Sequence, residues 1–278
     1  MSYKRVLTVQ DISCVGQCSI TVALPIISAT GSECCILPSA VLSTHTGGFK
    51  GFTFRDLTDD IPGIVNHWKS EGLKFDCLYT GYLGSQRQIE MVEGMTELLN
   101  DGSLFICDPA MADNGILYKG FDDAFVKKMS ELTKYADIIL PNITEASLMT
   151  GIEYKKSNYD ESYILSLCRA LAKGKCKTVV MTGVAYTEDK LGIAIYSKEE
   201  DKIDYYFHEK ISKSSHGTGD VYASAFVGSL MQNKSIYESA AIAADFTVQA
   251  IKETLDDESH FYGVKFEKAI PLLIEKLK

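Results

Sequence analysis

Two glycines bracket a threonine in His216-Gly217-Thr218-Gly219-Asp220, and small and apolar residues then continue at helical spacing, Val-Tyr-Ala-Ser-Ala-Phe-Val-Gly-Ser-Leu. Glycine supplies the backbone angles of a tight turn and lets the main chain come close to a ligand. The first N–H groups of a helix have no partner inside it, and the helix dipole favours negative charge there. Such a junction holds phosphate. Asp220 adds an acceptor at the same turn, one able to take a proton from an attacking hydroxyl. An isolated G-T-G-D is better explained as an ordinary glycine turn with Asp220 as N-cap. The weight of the stretch therefore depends on what the rest of the chain brings to it.

Short β-rich runs alternate with longer amphipathic ones, the pattern of a mainly parallel sheet with helices packed on it. Strands are predicted at Arg5–Gln10, Cys34–Leu37, Phe75–Thr80, Leu104–Cys107, Asp137–Leu140 and Thr178–Met181, with Gly192–Ser197 and Asp204–His208 as an antiparallel pair at a sheet edge. In a parallel α/β sheet, ligands bind beyond the carboxyl ends of the strands. Beyond these strand ends stand Asp11, His45, Gly81-Tyr82, Asp108, Asn142 with Glu145, and Thr182-Gly183. Any one of these is an ordinary cap or turn former. The series, joined by a glycine-rich helix start with its own carboxylate, argues for a site. Residues 47–54, rich in glycine and aromatics, read as a flap, and residues 111–120 as a mobile lid loop. With no internal repeat, low-complexity tract or long linker, residues 1–278 read as one domain.

The chain is 46% hydrophobic, enough for a sizeable core, and carries 28 basic against 37 acidic side chains for a net charge of −9. That balance argues against nucleic acid or an anionic membrane as partner. No apolar run is long enough to span a bilayer and no signal-peptide core precedes Asp11, so a cytoplasmic protein is expected. The eight cysteines lack the paired C-x-x-C spacing of a zinc site, and reduced, buried thiols are expected.

Carboxylates and amides around a phosphate cradle suit Mg²⁺, a hard ion that keeps several waters and shares phosphate oxygens. Together they point to phosphoryl transfer. The sequence has no G-x-x-x-x-G-K-[ST] loop, no G-x-G-x-x-G after the first strand, and no H-R-D or D-F-G set.

Gly217-Thr218-Gly219-Asp220 before a small-residue helix, together with Asn142-Ile143-Thr144-Glu145, resembles the ribokinase-like superfamily. Ser-Thr-His-Thr at 43–46, Thr-Gly-Tyr at 80–82 and Cys-Asp-Pro at 107–109 are similar to the pyridoxal kinases within it. The resemblance implies a three-layer α/β fold with a mostly parallel central sheet flanked by helices. It implies ATP-dependent phosphorylation of the 5′-hydroxymethyl group of pyridoxal, pyridoxine or pyridoxamine, with ATP and Mg²⁺, room for a monovalent cation, and a homodimer. Asp220 matches the catalytic base, and Gly217, Thr218 and Gly219 the anion hole. Asn142 and Glu145 match the element that organises Mg²⁺, largely through water; Asp108 matches an acidic position near the phosphates and Thr182 a hydroxyl beside them. Thr46 and Tyr82 match the pyridine pocket, which His45 helps to shape, and Tyr118 matches the lid. Asp11 stands where many relatives have serine, facing the ring nitrogen, and a carboxylate there favours a pyridinium. His216 is left without a role. A hydroxymethylpyrimidine or sugar kinase on the same fold, and a non-catalytic B6-binding protein, are the alternatives.

Overall fold

The computed structural model describes residues 3–211 and 216–278. Its first elements are β1 (Arg5–Ser13), α1 (Ile20–Ala29), β2 (Glu33–Leu42), β3 (Phe54–Asp56), α2 (Ile61–Ser70), β4 (Phe75–Thr80), α3 (Gln86–Met95) and β5 (Leu99–Cys107). Next come β6 (Ala112–Asp113), β7 (Ile116–Leu117), α4 (Asp123–Leu132), β8 (Ile138–Ile139), α5 (Ile143–Thr150) and α6 (Glu161–Leu171). The chain ends with β9 (Thr178–Val184), β10 (Lys190–Ser197), β11 (Lys202–Glu209), α7 (Thr218–Met231), α8 (Ile236–Lys252) and α9 (Phe266–Leu277). These elements sort into two compact units interleaved in sequence: Met1–Gly84 with Leu98–Ser103 and Ile211–Lys278, and Ser85–Glu97 with Leu104–Lys210.

In the first unit the strand order is β4-β1-β2-β3. β1 runs parallel to both β2 and β4, and β3 closes the edge antiparallel to β2. Val6 and Val9 of β1 are fully buried, as a strand covered on both faces requires. The helix after the G-T-G-D stretch is α7, and ten of its fourteen residues are buried. Its alanines, serines and glycine let α1 and α8 approach closely. Phe226 of α7 and Phe246 of α8 are fully buried in this core.

In the second unit the order is β5-β8-β9-β10-β11. β5, β8 and β9 are parallel, and β10 and β11 continue antiparallel, as the edge pair predicted from the sequence. β9 extends to Val184, so Thr182 and Gly183 lie inside the strand rather than after it. β8 keeps only Ile138–Ile139. Within the 111–120 segment β6 and β7 pair as a hairpin across Asn114 and Gly115, both at positive φ. Asn-Gly is the strongest short hairpin signal, and its left-handed pair matches the twist of the strands. No helix among the described residues is long and apolar enough to cross a membrane.

Gly228 is where α7 meets the end of α1. A Cβ added there would lie 2.5 Å from Thr30 Cγ2 and 2.7 Å from Thr30 Oγ1, and that hydroxyl already donates to Ile27 O at 2.7 Å. In an open helix, Gly→Ala stabilises by about 1 kcal/mol. Here the sign is expected to invert: Gly228→Ala lowers Tm, and Thr30→Ala in the same chain recovers part of the loss in thermal denaturation.

Candidate active site

In the first unit the carboxyl ends of β1, β2 and β4 carry Asp11, His45 and Tyr82. The pairing of β1 with β2 slips by one residue between Gln10 and Ile12. Such irregularities re-aim a side chain, and Asp11 sits at this one, 5% exposed. Its carboxylate accepts from Ser13 Oγ at 3.2 Å and from the Ser19 hydroxyl. Burial nevertheless raises its pKa, those hydrogen bonds offsetting part of the rise.

Asp220 is the third residue of α7, and Gly217 is the N-cap, with φ 73°. The capped-turn reading of Asp220 fails on this point: the helix has no side-chain cap, and Asp220 lies inside its first turn. Gly217 is required twice over, by its left-handed backbone and by the Gln17 carbonyl oxygen, which occupies the space of any side chain. Gly219 meets nothing within 4 Å, so its α-carbon borders open space. Asp220 accepts the main-chain N–H of Ser19; burial, and then the charge of Asp11, push its pKa up to about 6.

Ser19 thus bonds Asp11 through its hydroxyl and Asp220 through its amide. It is the N-cap of α1, with φ 51°, a conformation that costs a non-glycine residue on the order of 1–3 kcal/mol and persists only where its surroundings impose it. The sequence reading gives Ser19 no role; its one signal is a serine directly before an apolar helix. Cys18, buried beside it, has a thiol pushed up by burial and by the Asp220 and Asp11 charges, which keeps it protonated and inert.

Tyr82 is half-buried, and its hydroxyl pKa is raised by burial and then by the charge of Asp11. Thr46 is exposed in the loop after β2. His45 Nδ1 accepts from the Gly47 N–H at 3.2 Å, so the ring proton sits on Nε2. Burial, then His216, lower the His45 pKa. The His216 ring lies 5.4 Å from that of His45, centroid to centroid. A Cβ on Gly47 would come within 2.8 Å of His45 Cε1 and 3.0 Å of His216 Cε1, so that glycine makes room for both rings. The flap expected at 47–54 is the connection between β2 and β3, tied at its base by Ser43 N–H to Thr53 O at 3.1 Å.

The second unit brings Asn142, Glu145 and Thr182 together. Asn142 caps α5: its Oδ1 accepts from Glu145 N at 3.0 Å, and Glu145 Oε2 accepts from Asn142 N at 2.9 Å. The other Glu145 oxygen takes the N–H groups of Met111 and Ala112 at 3.1 and 3.5 Å. Asn142 Nδ2 donates to Ala112 O at 2.8 Å. This capping box therefore also anchors the β6–β7 hairpin. Burial pushes the Glu145 pKa up to about 8 against the pull of those amides. Thr182 pairs with Asn142 through an isolated parallel bridge. Asp108, 9% exposed, comes directly after the end of β5. Tyr118 lies just past the hairpin, 42% exposed, with its N–H on Met111 O at 2.8 Å.

A sheet with polar groups at its strand ends, a carboxylate on a glycine-capped helix and an N-x-x-E box define a ribokinase-like kinase. Residues 52–265 match the family model of phosphomethylpyrimidine kinases, and the chain belongs to that family. A structure from Bacteroides thetaiotaomicron assigned to phosphomethylpyrimidine kinases and solved with pyridoxal is 36% identical, with a TM-score of 0.92 over 98% of this chain and 96% of that one. The pyridoxal kinase of Lactobacillus plantarum is 30% identical, with a TM-score of 0.90 over 99% and 98% of the two chains. The pyridoxal kinase of Arabidopsis thaliana is 28% identical over 265 residues, 91% of this chain and 83% of its own.

The electrostatics and hydrogen bonding generate two expected outcomes. Asp11→Asn removes a like charge that raises the Asp220 pKa, so the acid limb of kcat/KM is expected at lower pH than in the wild type, measured from pH 4.5 to 8. Glu145→Ala frees the Met111 and Ala112 amides, and their hydrogen exchange is expected to accelerate by about tenfold or more, the loss of about 1.4 kcal/mol or more of local protection.

Proposed function

We propose that this protein transfers the γ-phosphoryl group of ATP to the 5′-hydroxymethyl group of pyridoxal and related B6 vitamers. The observation that carries the reading is Asp220, a carboxylate in the first turn of a glycine-capped helix, bonded to the Ser19 N–H and with its pKa raised to about 6. A base of that strength is largely ionised at neutral pH and still takes a proton as the hydroxyl attacks. The main-chain N–H groups of Gly217, Thr218 and Gly219, at the start of the helix, hold the charge of the moving phosphoryl group. Asp11 and Tyr82 choose the ring: a buried carboxylate and an aromatic side chain near the ends of paired strands suit a flat, protonated pyridine. Thr46 and His45 line the same pocket in this reading, and Tyr118 keeps the lid role that the family resemblance implies.

Asp108, Asn142, Glu145 and Thr182 serve the nucleotide phosphates and their Mg²⁺. The residues fit that ion: Glu145 is a buried carboxylate held by neutral main-chain amides, and a divalent charge nearby would restore its ionised form. Its oxygens already accept three main-chain N–H groups, so Glu145 would organise the ion largely through water, and Asp108 would add negative charge near the phosphates. No cluster of three metal-ligating side chains occurs among the described residues, which suits an ion shared with phosphate oxygens and water. When bound, Mg²⁺ offsets charge on the phosphates. A homodimer in the cytoplasm belongs to the same reading, on the family resemblance.

The family model's description favours a second substrate, hydroxymethylpyrimidine. Against it stand Asp11, suited to a pyridinium, and the pyridoxal kinases among the relatives. Comparing kcat/KM for pyridoxal and hydroxymethylpyrimidine with ATP decides between them; a higher value for the pyrimidine would overturn the proposal. Asp220→Ala is expected to lower kcat by about 10² to 10⁴. A variant retaining wild-type kcat removes Asp220 from the role of base, and tight pyridoxal binding without ATP turnover in the wild type would mark a binding protein.

A further inference from the structure

Gln17 links the start of the last helix to the glycine turn. Its main-chain N–H donates to Tyr262 O at 3.2 Å. Its side-chain Oε1 accepts from His260 Nε2 at 2.7 Å, and its Nε2 donates to both carboxylate oxygens of Glu267, at 2.9 and 3.0 Å. Glu267 lies in the first turn of α9. The amide is thereby fixed in one orientation. Turned over, its NH₂ would face the His260 N–H and its carbonyl would face a carboxylate. Gly263 leaves the room this requires, since a side chain there would press on Gln17 Cβ.

On its other side, the Gln17 carbonyl oxygen fills the space next to the Gly217 α-carbon. Gly217 in turn opens α7, its carbonyl accepting the Val221 N–H at 3.0 Å. The rest of the loop is also pinned: Thr21 Oγ1 donates to Gly16 O at 2.9 Å and to Cys18 O at 2.7 Å, and the His45 N–H donates to Val15 O at 2.8 Å. The far end of the chain reaches this loop through the Gln17 side chain and through the Tyr262 carbonyl that holds the Gln17 N–H.

We propose that Gln17, locked by His260 and Glu267, is a positioning residue that fixes the seat of the Gly217–Gly219 turn. The inference rests on the reading of that turn as the group that holds the transferred phosphoryl. Gln17 touches no reacting atom. Its effect runs through the main chain, where a misplacement of about 1 Å costs up to about 10²-fold in rate.

The test uses the full chain as wild type, Gln17→Ala, Glu267→Ala, Glu267→Gln and the Gln17→Ala/Glu267→Ala double. Gln17→Ala and Glu267→Ala are each expected to lower kcat about tenfold while KM for pyridoxal stays within about twofold. The double is expected to be no worse than Gln17→Ala, because the two residues act as one unit. Glu267→Gln keeps an oxygen to accept from Gln17 and is expected to retain near wild-type kcat. Additive losses, a raised KM with intact kcat, or Glu267→Gln as poor as Glu267→Ala would overturn the inference. Amide hydrogen exchange over Thr218–Asp220 is read in the same proteins. It should be faster in the two alanine variants and restored in Glu267→Gln; unchanged exchange also overturns the inference. That readout does not depend on the substrate, so a wild type inactive on B6 vitamers would refute the functional reading and leave this one to be judged on exchange. If Gln17→Ala does not fold, the exposed Glu267 pair carries the same comparison.

Discussion

The rest of the site depends on two carboxylates sharing one residue. Asp11 and Asp220 repel each other in a setting that already disfavours charge, and Ser19 meets both, with its hydroxyl on one and its main-chain N–H on the other. The Ser19 N–H lowers the Asp220 pKa, but burial and the Asp11 charge outweigh it. Raising a carboxyl from 3.8 to about 6 corresponds to on the order of 3 kcal/mol against the ionised form. The sign is that of a raised acid: the folded state is favoured by this group at low pH and loses that contribution as pH rises through 6. At neutral pH the protein carries the cost in return for a carboxylate ready to accept a proton.

That arrangement constrains the main chain around it. α1 must start at Ser19 in a left-handed conformation, α7 must start at Gly217, and the loop between Cys14 and Cys18 must pass close enough for the Gln17 carbonyl to meet the Gly217 α-carbon. The small residues of α7 serve the same end, since a helix buried on nearly all sides cannot tilt to relieve strain at its N-terminus. In the second unit the same economy recurs in another form. One capping box starts α5 and ties down the β6–β7 hairpin, so that Asn142 and Glu145 organise two elements from one turn.

The class of the fold was legible because buried parallel strands and amphipathic helices have different hydrophobic periods; Tyr82, Asp108, Asn142 and Asp220 were legible because they come after strands or open helices, and Asp11 because it follows the apolar run of β1, although the strand itself continues to Ser13. The residues that escaped have a common cause. Gln17 meets His260 and Glu267 across 243 and 250 residues of sequence, and no local pattern reports such a contact. Ser19 escaped because its hydroxyl and amide meet Asp11 and Asp220 only in the fold, and a serine before an apolar helix reads as an ordinary cap. The hairpin within 111–120 escaped for a different reason: Asn114-Gly115 signals one, but strands of two residues leave no periodicity to support it.

The chemistry of the site stands on Asp220 being a carboxylate of unusual basicity, and the direct measurement is its titration by carbon-13 NMR in the full-length protein, assigned with Asp220→Asn. The expected midpoint is about 6. A midpoint at the ordinary aspartate value of about 4 would contradict that basicity and with it the role of Asp220.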